Sequence, residues 1–244
     1  MKAIAMYRAA VLALATAAGV LACVPVSAQP TTEVIRTPSG WTISRPGSTP
    51  GSFMRIDVGP VPVLLARFDR DHQGANIPVL VVGSVLTHAD RLPVAMIDSV
   101  LDGLQRLALT SPRREVRTDA VGLLAFAGQH WPKPRSPRAG NRLAAIYRGT
   151  SDTGLQALLV GMSLPHLAEP GPALPILRDV AMQAESRQDF PEASVWAVES
   201  LARMGDPGRA VLRDLHRRGA VRSAAARSRL DALARTGFRE PPRP

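Results

Sequence analysis

Arginines near the carboxyl end of the chain are the residues whose type and spacing best suit a chemical role. From Arg203 to Pro244 there are eleven arginines against four carboxylates, an excess of seven positive charges. Arg209, Arg213 and Arg217 are four residues apart and therefore form one stripe along a helix. Because guanidinium groups pair with carboxylates and phosphates, this region is a candidate anion-binding or partner-binding surface. Its candidate residues are Arg209, Arg213, Arg217, Arg218, Arg222 and Arg229.

Other residues that could do chemistry are dispersed. The histidines have no i, i+4 pair and no cysteine near them, so the spacing of a zinc site is missing; they are His72, His88, His130, His166 and His216. Asp69, Asp71 and His72 form the one compact cluster, which is typical of a turn at the end of a helix. The sequence predicts no metal site.

Familiar catalytic motifs do not occur in the chain. It has no Gly-x-Ser-x-Gly elbow, no Gly-x-x-x-x-Gly-Lys phosphate loop and no Gly-x-Gly-x-x-Gly run. We therefore expect a non-enzymatic protein without a cofactor.

The first 28 residues have the pattern of a secretory signal peptide. Lys2 and Arg8 precede an uncharged run from Ala9 to Ala22, and the small residues Val26 and Ala28 suit cleavage after Ala28. The pattern predicts export to the periplasm or the medium.

Cys23 offers an alternative, because Val20-Leu21-Ala22-Cys23 resembles a lipoprotein box in which the cysteine becomes a lipid anchor. Cys23 is the only cysteine of the chain. No intramolecular disulfide can form, so stability must come from packing.

Composition limits both the fold classes and the kinds of partner that suit this chain. The formal net charge is +10, almost all of it from arginine, and about +8 remains after the predicted cleavage because Lys2 and Arg8 are removed. Aromatic residues make up only 4% of the chain, which favours closely stacked helices over a β-sandwich. The basic region also has no interleaved aromatic residues for base stacking, and an exported chain does not favour nucleic acid as a partner.

Residues 29–62 are rich in proline, glycine, serine and threonine and show no helical period, which predicts a linker or an irregular extended arm. Two short alternating runs, Trp41-Thr42-Ile43 and Phe53-Met54-Arg55-Ile56, leave a small hairpin as the alternative. Two short strands alone are only marginally stable.

Beyond residue 62, apolar residues recur at helical spacing in segments that are separated by glycine, proline or aspartate residues. The predicted helices are Val63–Asp69, Ile77–Thr87, Pro93–Leu109, Pro112–Gly128, Asn141–Arg148, Asp152–Leu167, Ala173–Glu185, Pro191–Met204, Pro207–Arg218 and Arg222–Thr236. Pro165 lies within one of them and is expected to bend or split it.

An internal repeat is the most informative pattern in the sequence. The segments AVGLLAFAG, SLPHLAEPG, AVESLARMG and RLDALARTG end at Gly128, Gly171, Gly205 and Gly237. Each has Val or Leu, then Leu-Ala, then glycine at fixed positions, and the glycines are 43, 34 and 32 residues apart. That period is the length of a helical hairpin with its turns.

The pattern predicts how each helix packs and ends. Residues three apart lie on one face, so the expected inner pairs are Val121 with Leu124, Leu164 with Leu167, Val198 with Leu201, and Leu230 with Leu233. Each glycine is expected to end its helix in a left-handed cap.

These segments, with Val116-Arg117-Thr118-Asp119-Ala120 and Val221-Arg222-Ser223-Ala224-Ala225, resemble short HEAT and armadillo-type repeats. The resemblance covers about residues 77–238. It implies an all-α fold, a right-handed α-α superhelix of antiparallel helix pairs over residues 63–238, with 239–244 as a disordered tail. A generic helical bundle is the alternative fold.

Two functions follow from this reading. Such a solenoid implies a protein-protein interaction scaffold in the cell envelope, with an unidentified protein or peptide as partner. The alternative is a module that binds anions or an anionic membrane surface through the C-terminal arginines. Those arginines also suit a third interpretation, since the last repeat of a stack must present a polar, solvated outer face.

Overall fold

The computed structural model describes residues 33–37, 40–46, 53–71, 77–132, 135–184 and 192–238. The chain divides into two compact units, residues 1–32 with 45–54 and residues 33–44 with 55–244. All the helices of the described residues belong to the second unit. The predicted signal peptide, the cleavage after Ala28, the alternative lipid site at Cys23 and the tail 239–244 lie outside the described residues.

A three-stranded sheet precedes the helices, in the order β1 (Glu33–Thr37), β2 (Gly40–Pro46), β3 (Phe53–Val58). β1 pairs antiparallel with β2, with Ile35 opposite Thr42 and Thr37 opposite Gly40. Ile43 is fully buried, and the Thr42 hydroxyl donates to Asp57 Oδ1 at 2.7 Å.

This sheet corrects the expectation of an irregular arm over residues 29–62 and of an all-α chain. Of the two runs in the alternative hairpin, 41–43 lies in β2 and 53–56 lies in β3, and these strands are hydrogen-bonded neighbours in the sheet. The strands are stable because β1 adds a third strand to what would otherwise be a marginally stable two-stranded ribbon. The buried side chains of the resulting sheet belong to the hydrophobic core.

Most of the described chain is helical, with ten α-helices in the described residues. They are α1 (Val61–Arg70), α2 (Ile77–Thr87), α3 (Val94–Thr110), α4 (Arg114–His130), α5 (Ser136–Gly149), α6 (Thr153–Leu158), α7 (Leu174–Ala181), α8 (Ala193–Arg203), α9 (Gly205–Arg218) and α10 (Ala224–Arg235). A short 3-10 turn, Ala89–Arg91, connects α2 to α3. None of these helices is both long and apolar enough to cross a bilayer.

Three helices differ clearly from their predicted extent. α7 ends at Ala181, four residues before the predicted end at Glu185. α5 begins at Ser136 rather than Asn141, because Pro137 occupies its first turn, where no backbone N–H is needed. The predicted helix over Asp152–Leu167 is α6 followed by a π-helical turn (Leu159–Ser163) and a 3-10 turn (Leu164–His166). The break at Pro165 is therefore confirmed.

The helices pack in a regular order. α1 packs on α2, α3 on α4, α7 on α8 and α9 on α10, while α5 packs on the π and 3-10 turns after α6. Each helix of a pair also contacts a helix of the neighbouring pair, as α1 does with α3, α2 with α4, α3 with α5, α7 with α9, and α8 with α10. All eight members of the predicted inner pairs are buried, with at most 8% of the residue exposed.

Glycine has two different roles in the four repeat segments. Gly205 and Gly237 have φ of +66° and confirm the predicted left-handed caps. The prediction is wrong for Gly128 and Gly171, which do not have positive φ. Gly128 lies inside α4, where an added Cβ would be 2.5 Å from Leu167 Cδ2, so glycine there allows a close approach of the 3-10 segment.

Candidate functional site

The candidate arginines lie on the last helix pair, α9 and α10, which we call the basic hairpin. α9 buries Gly208, Leu212 and Leu215 against the preceding pair and turns its other side to solvent. It ends at Gly219, whose φ of +58° allows its N–H to reach the His216 carbonyl. Ser223 is the N-cap of α10, and its hydroxyl accepts a hydrogen bond from the Ala226 N–H at 3.2 Å.

Carboxylates of the same helix pair with three of these arginines. Arg209 donates to Asp206, and both Arg217 and Arg218 reach Asp214 Oδ1, at 2.8 and 2.9 Å. The hydrogen bond from Arg217, together with the charge of Arg218 and against the effect of desolvation, lowers the pKa of Asp214. Much of the positive charge of the α9 stripe is thus balanced within one turn.

Arg229 serves a contact between helices. Its Nε lies 3.0 Å from Glu199 Oε1 of α8, as an ion pair without the alignment of a directed hydrogen bond. Glu199 also pairs with Arg203 of its own helix at 3.6 Å. Since Arg229 is 31% exposed and holds α10 to α8, it is not on the outer surface with the α9 stripe.

Arg213 and Arg222 are the two candidates that form no ion pair with a described residue. Arg213 is exposed and donates only to the Arg209 carbonyl, at 3.3 Å. Arg222 is exposed in the turn between α9 and α10. The structure therefore distributes the six predicted residues over the hairpin and does not bring them together in one pocket.

Arg222 borders a cleft that the sequence does not reveal. The cleft has a volume of about 530 Å³ and lies between the end of α7 and the turn that joins α9 to α10. We call it the α7 cleft; its lining residues are Asp179, Met182, Gln183, Gly219, Ala220 and Arg222. Residues 179 and 222 are far apart in the sequence and become neighbours through the packing of α7 on α9.

The acidic and imidazole groups do not form a centre within the described part of the chain. Asp69 accepts a hydrogen bond from Ser111, and Asp71 pairs with Arg70, whose hydrogen bond lowers the pKa of Asp71. His72, the third member of that predicted cluster, lies outside the described residues. In the described ranges, no three or more His, Cys, Asp or Glu side chains are grouped closely enough to hold a metal ion.

Comparisons of the chain with protein-family models, with curated protein sequences and with solved structures give no match.

Proposed function

We propose that this chain is an exported helical-repeat protein of the HEAT type that acts as a non-enzymatic scaffold for another protein or peptide in the cell envelope. The observation that supports this most is the packing of helices two places apart along the chain, as α1 on α3, α2 on α4, α3 on α5, α7 on α9 and α8 on α10. When helix pairs stack in this way, they build an extended surface to which each pair contributes side chains at equivalent positions.

Polar contacts between neighbouring pairs support the same arrangement. Arg138 and Arg142 of α5 reach Asp98 and Asp102 of α3 at 2.8 and 2.7 Å, each across 40 residues of sequence. These separations fall within the 32- to 43-residue spacing of the repeat glycines. The same kind of contact therefore recurs at about the length of one hairpin.

The other helices of the pairs make equivalent contacts. Arg117 of α4 binds Asp152, the N-cap of α6, at 2.7 Å across 35 residues. Ser200 of α8 donates to the Val160 carbonyl at 2.9 Å across 40 residues. Hydrogen bonds therefore join α4 to α6, and α8 to the π-helical turn after α6.

In vivo cross-linking of the tagged chain, followed by isolation from the envelope fraction, tests the scaffold proposal. We expect one partner to be recovered in a fixed ratio to the chain, and a tagged signal-peptide fusion of an unrelated protein serves as the control. Recovery of the chain alone, as a monomer in light scattering, would contradict the proposal.

Amino-terminal sequencing of the same sample should begin at Gln29, whereas a lipid-modified Cys23 would contradict cleavage after Ala28.

A second candidate function, anion or membrane-surface binding, is favoured by Arg213. This side chain is exposed on α9 and forms no ion pair with a described residue. Binding of this kind weakens steeply with salt. Replacement of Arg209, Arg213 and Arg217 by glutamine should abolish binding to vesicles that contain phosphatidylglycerol, and binding that does not change with salt would contradict it.

A further inference from the structure

The α7 cleft has the size and the mixed lining of a ligand site. Its volume of about 530 Å³ falls within the range of roughly 300–1,000 Å³ that is usual for binding pockets. Met182 and Ala220 are half-buried and supply apolar surface, whereas Gln183 and Arg222 are exposed and supply polar groups. Methionine adapts its shape to different apolar partners.

Arg222 projects into this cleft from a backbone segment that is firmly held. Its neighbours Val221 and Ser223 are each 2% exposed, and its own carbonyl accepts a hydrogen bond from Arg227 at 3.2 Å. The guanidinium itself forms no ion pair with a described residue. The planar guanidinium group of Arg222, held on a fixed backbone, is suited to paired hydrogen bonds with a carboxylate.

The turn beside Arg222 leaves room for an extended chain. Gly219 has a left-handed φ of +58°, and no atom lies within 4 Å of the position that its Cβ would occupy. The Gly219 and Ala220 N–H groups are used by the His216 and Leu215 carbonyls, so the turn is rigid. The part of the rim formed by Gly219 and Ala220 is therefore fixed.

Among the described residues that line the cleft, Arg222 is the one cation, and it forms no ion pair with a described residue, which favours an acidic ligand. Asp179, the one acidic residue among the described residues of the lining, lies 3.5 Å from Arg178, so its charge is offset by its own neighbour.

We infer that the α7 cleft binds an extended acidic segment of the partner protein, with one carboxylate paired to Arg222 and an apolar side chain placed over Met182 and Ala220. This inference rests on the proposed scaffold function and assigns the place where the partner is held.

Fluorescence anisotropy with two labelled probe peptides tests the inference on the full mature chain. One probe has three Leu-Glu repeats and the other has three Leu-Gln repeats. We expect the Leu-Glu probe to bind and the Leu-Gln probe to bind at least tenfold more weakly. Arg222→Gln should weaken binding of the Leu-Glu probe by about tenfold, the effect of losing one charged hydrogen-bonded pair.

Arg235→Gln is the matched control, because Arg235 is an exposed arginine of α10 that does not line the cleft. It should change the affinity less than twofold, and both variants should keep the helical circular dichroism of the parent. Equal weakening by the two variants, or no binding of the Leu-Glu probe at about 1 mM, would overturn the inference. Binding to phosphatidylglycerol vesicles without binding to the probe would overturn it in favour of a lipid surface.

The cross-linking experiment separates failure of this inference from failure of the scaffold proposal. If the chain and its Arg222→Gln variant capture the same partner equally well, the scaffold stands and the assignment of the α7 cleft is wrong. If neither captures a partner, the scaffold proposal itself fails.

Discussion

Replacement of Gly208 by alanine should destabilise the chain, although alanine is normally the better helix former. Gly208 is buried in the first turn of α9, where that helix passes the end of α8. A Cβ at this position would lie 1.9 Å from the Leu201 carbonyl oxygen and 3.0 Å from Met204 Cβ. Because the closer atom belongs to the backbone, no side-chain rotation relieves the overlap, and α9 must move away from α8.

The magnitude follows from two opposing effects. Overpacking of this kind costs roughly 1–3 kcal/mol, and its upper part applies when backbone must move. Alanine recovers up to about 1 kcal/mol of helix propensity. We expect the free energy of unfolding to fall by about 2 kcal/mol, which lowers Tm by about 4–8 °C for a chain of this size.

Gly83→Ala is the matched control. Gly83 also lies inside a helix, α2, but its Cβ would meet only Leu123 Cδ2, at an ordinary 3.6 Å. This variant should gain up to about 1 kcal/mol. Thermal and urea unfolding, followed by circular dichroism at 222 nm, measure both variants. A Gly208→Ala chain as stable as the parent would refute the close contact of α9 with α8, above all if Gly83→Ala shows its expected gain.

Three further predictions concern polar contacts. Burial raises the pKa of Asp152, but the hydrogen bond and charge of Arg117 and the backbone N–H groups outweigh it, so the folded pKa lies below 3.8. Asp152 therefore stabilises the fold above that pH and loses its effect as the pH falls through the lowered value, and Asp152→Asn should flatten this acid limb in urea titrations. Ser223→Ala removes the N-cap of α10 and should lower the free energy of unfolding by about 1 kcal/mol. Its control, Ser228→Ala on the exposed side of α10, should lower it by less than about 0.5 kcal/mol. Equal losses in the two variants would contradict the cap. Trp131→Phe leaves the Leu86 carbonyl without the indole N–H, now 2.9 Å away, and should cost about 1–3 kcal/mol in urea unfolding; an unchanged midpoint would contradict a buried hydrogen bond.

Helix positions and inward faces could be predicted from the sequence because both depend on local spacing. Val198 and Leu201 lie three apart, and both are fully buried as expected. The glycine positions show the limit of local patterns. Gly128 and Gly205 end equivalent segments, yet the first is shaped by Leu167, which comes from a distant part of the chain.

The candidate site is harder to predict because the number of arginines in a segment does not show which of them pair with carboxylates. The pairs of Arg209 with Asp206 and of Arg217 with Asp214 are three residues apart and could have been recognised from helical spacing alone. The pair of Arg229 with Glu199 and the α7 cleft arise from packing between helices. No local pattern contains that information.

The irregular segment after α6 has a consequence for how the chain comes apart. If the helix pairs form the repeat array that we propose, each pair contacts only its neighbours, and the cooperativity of unfolding is limited by the weakest contact between pairs. Residues 159–166 form π and 3-10 turns in place of a regular helix, and the hydrogen bonds of a 3-10 turn are less well aligned than those of an α-helix. Amide hydrogen exchange should therefore resolve two blocks with separate opening free energies, one ending near α5 and one beginning near α7.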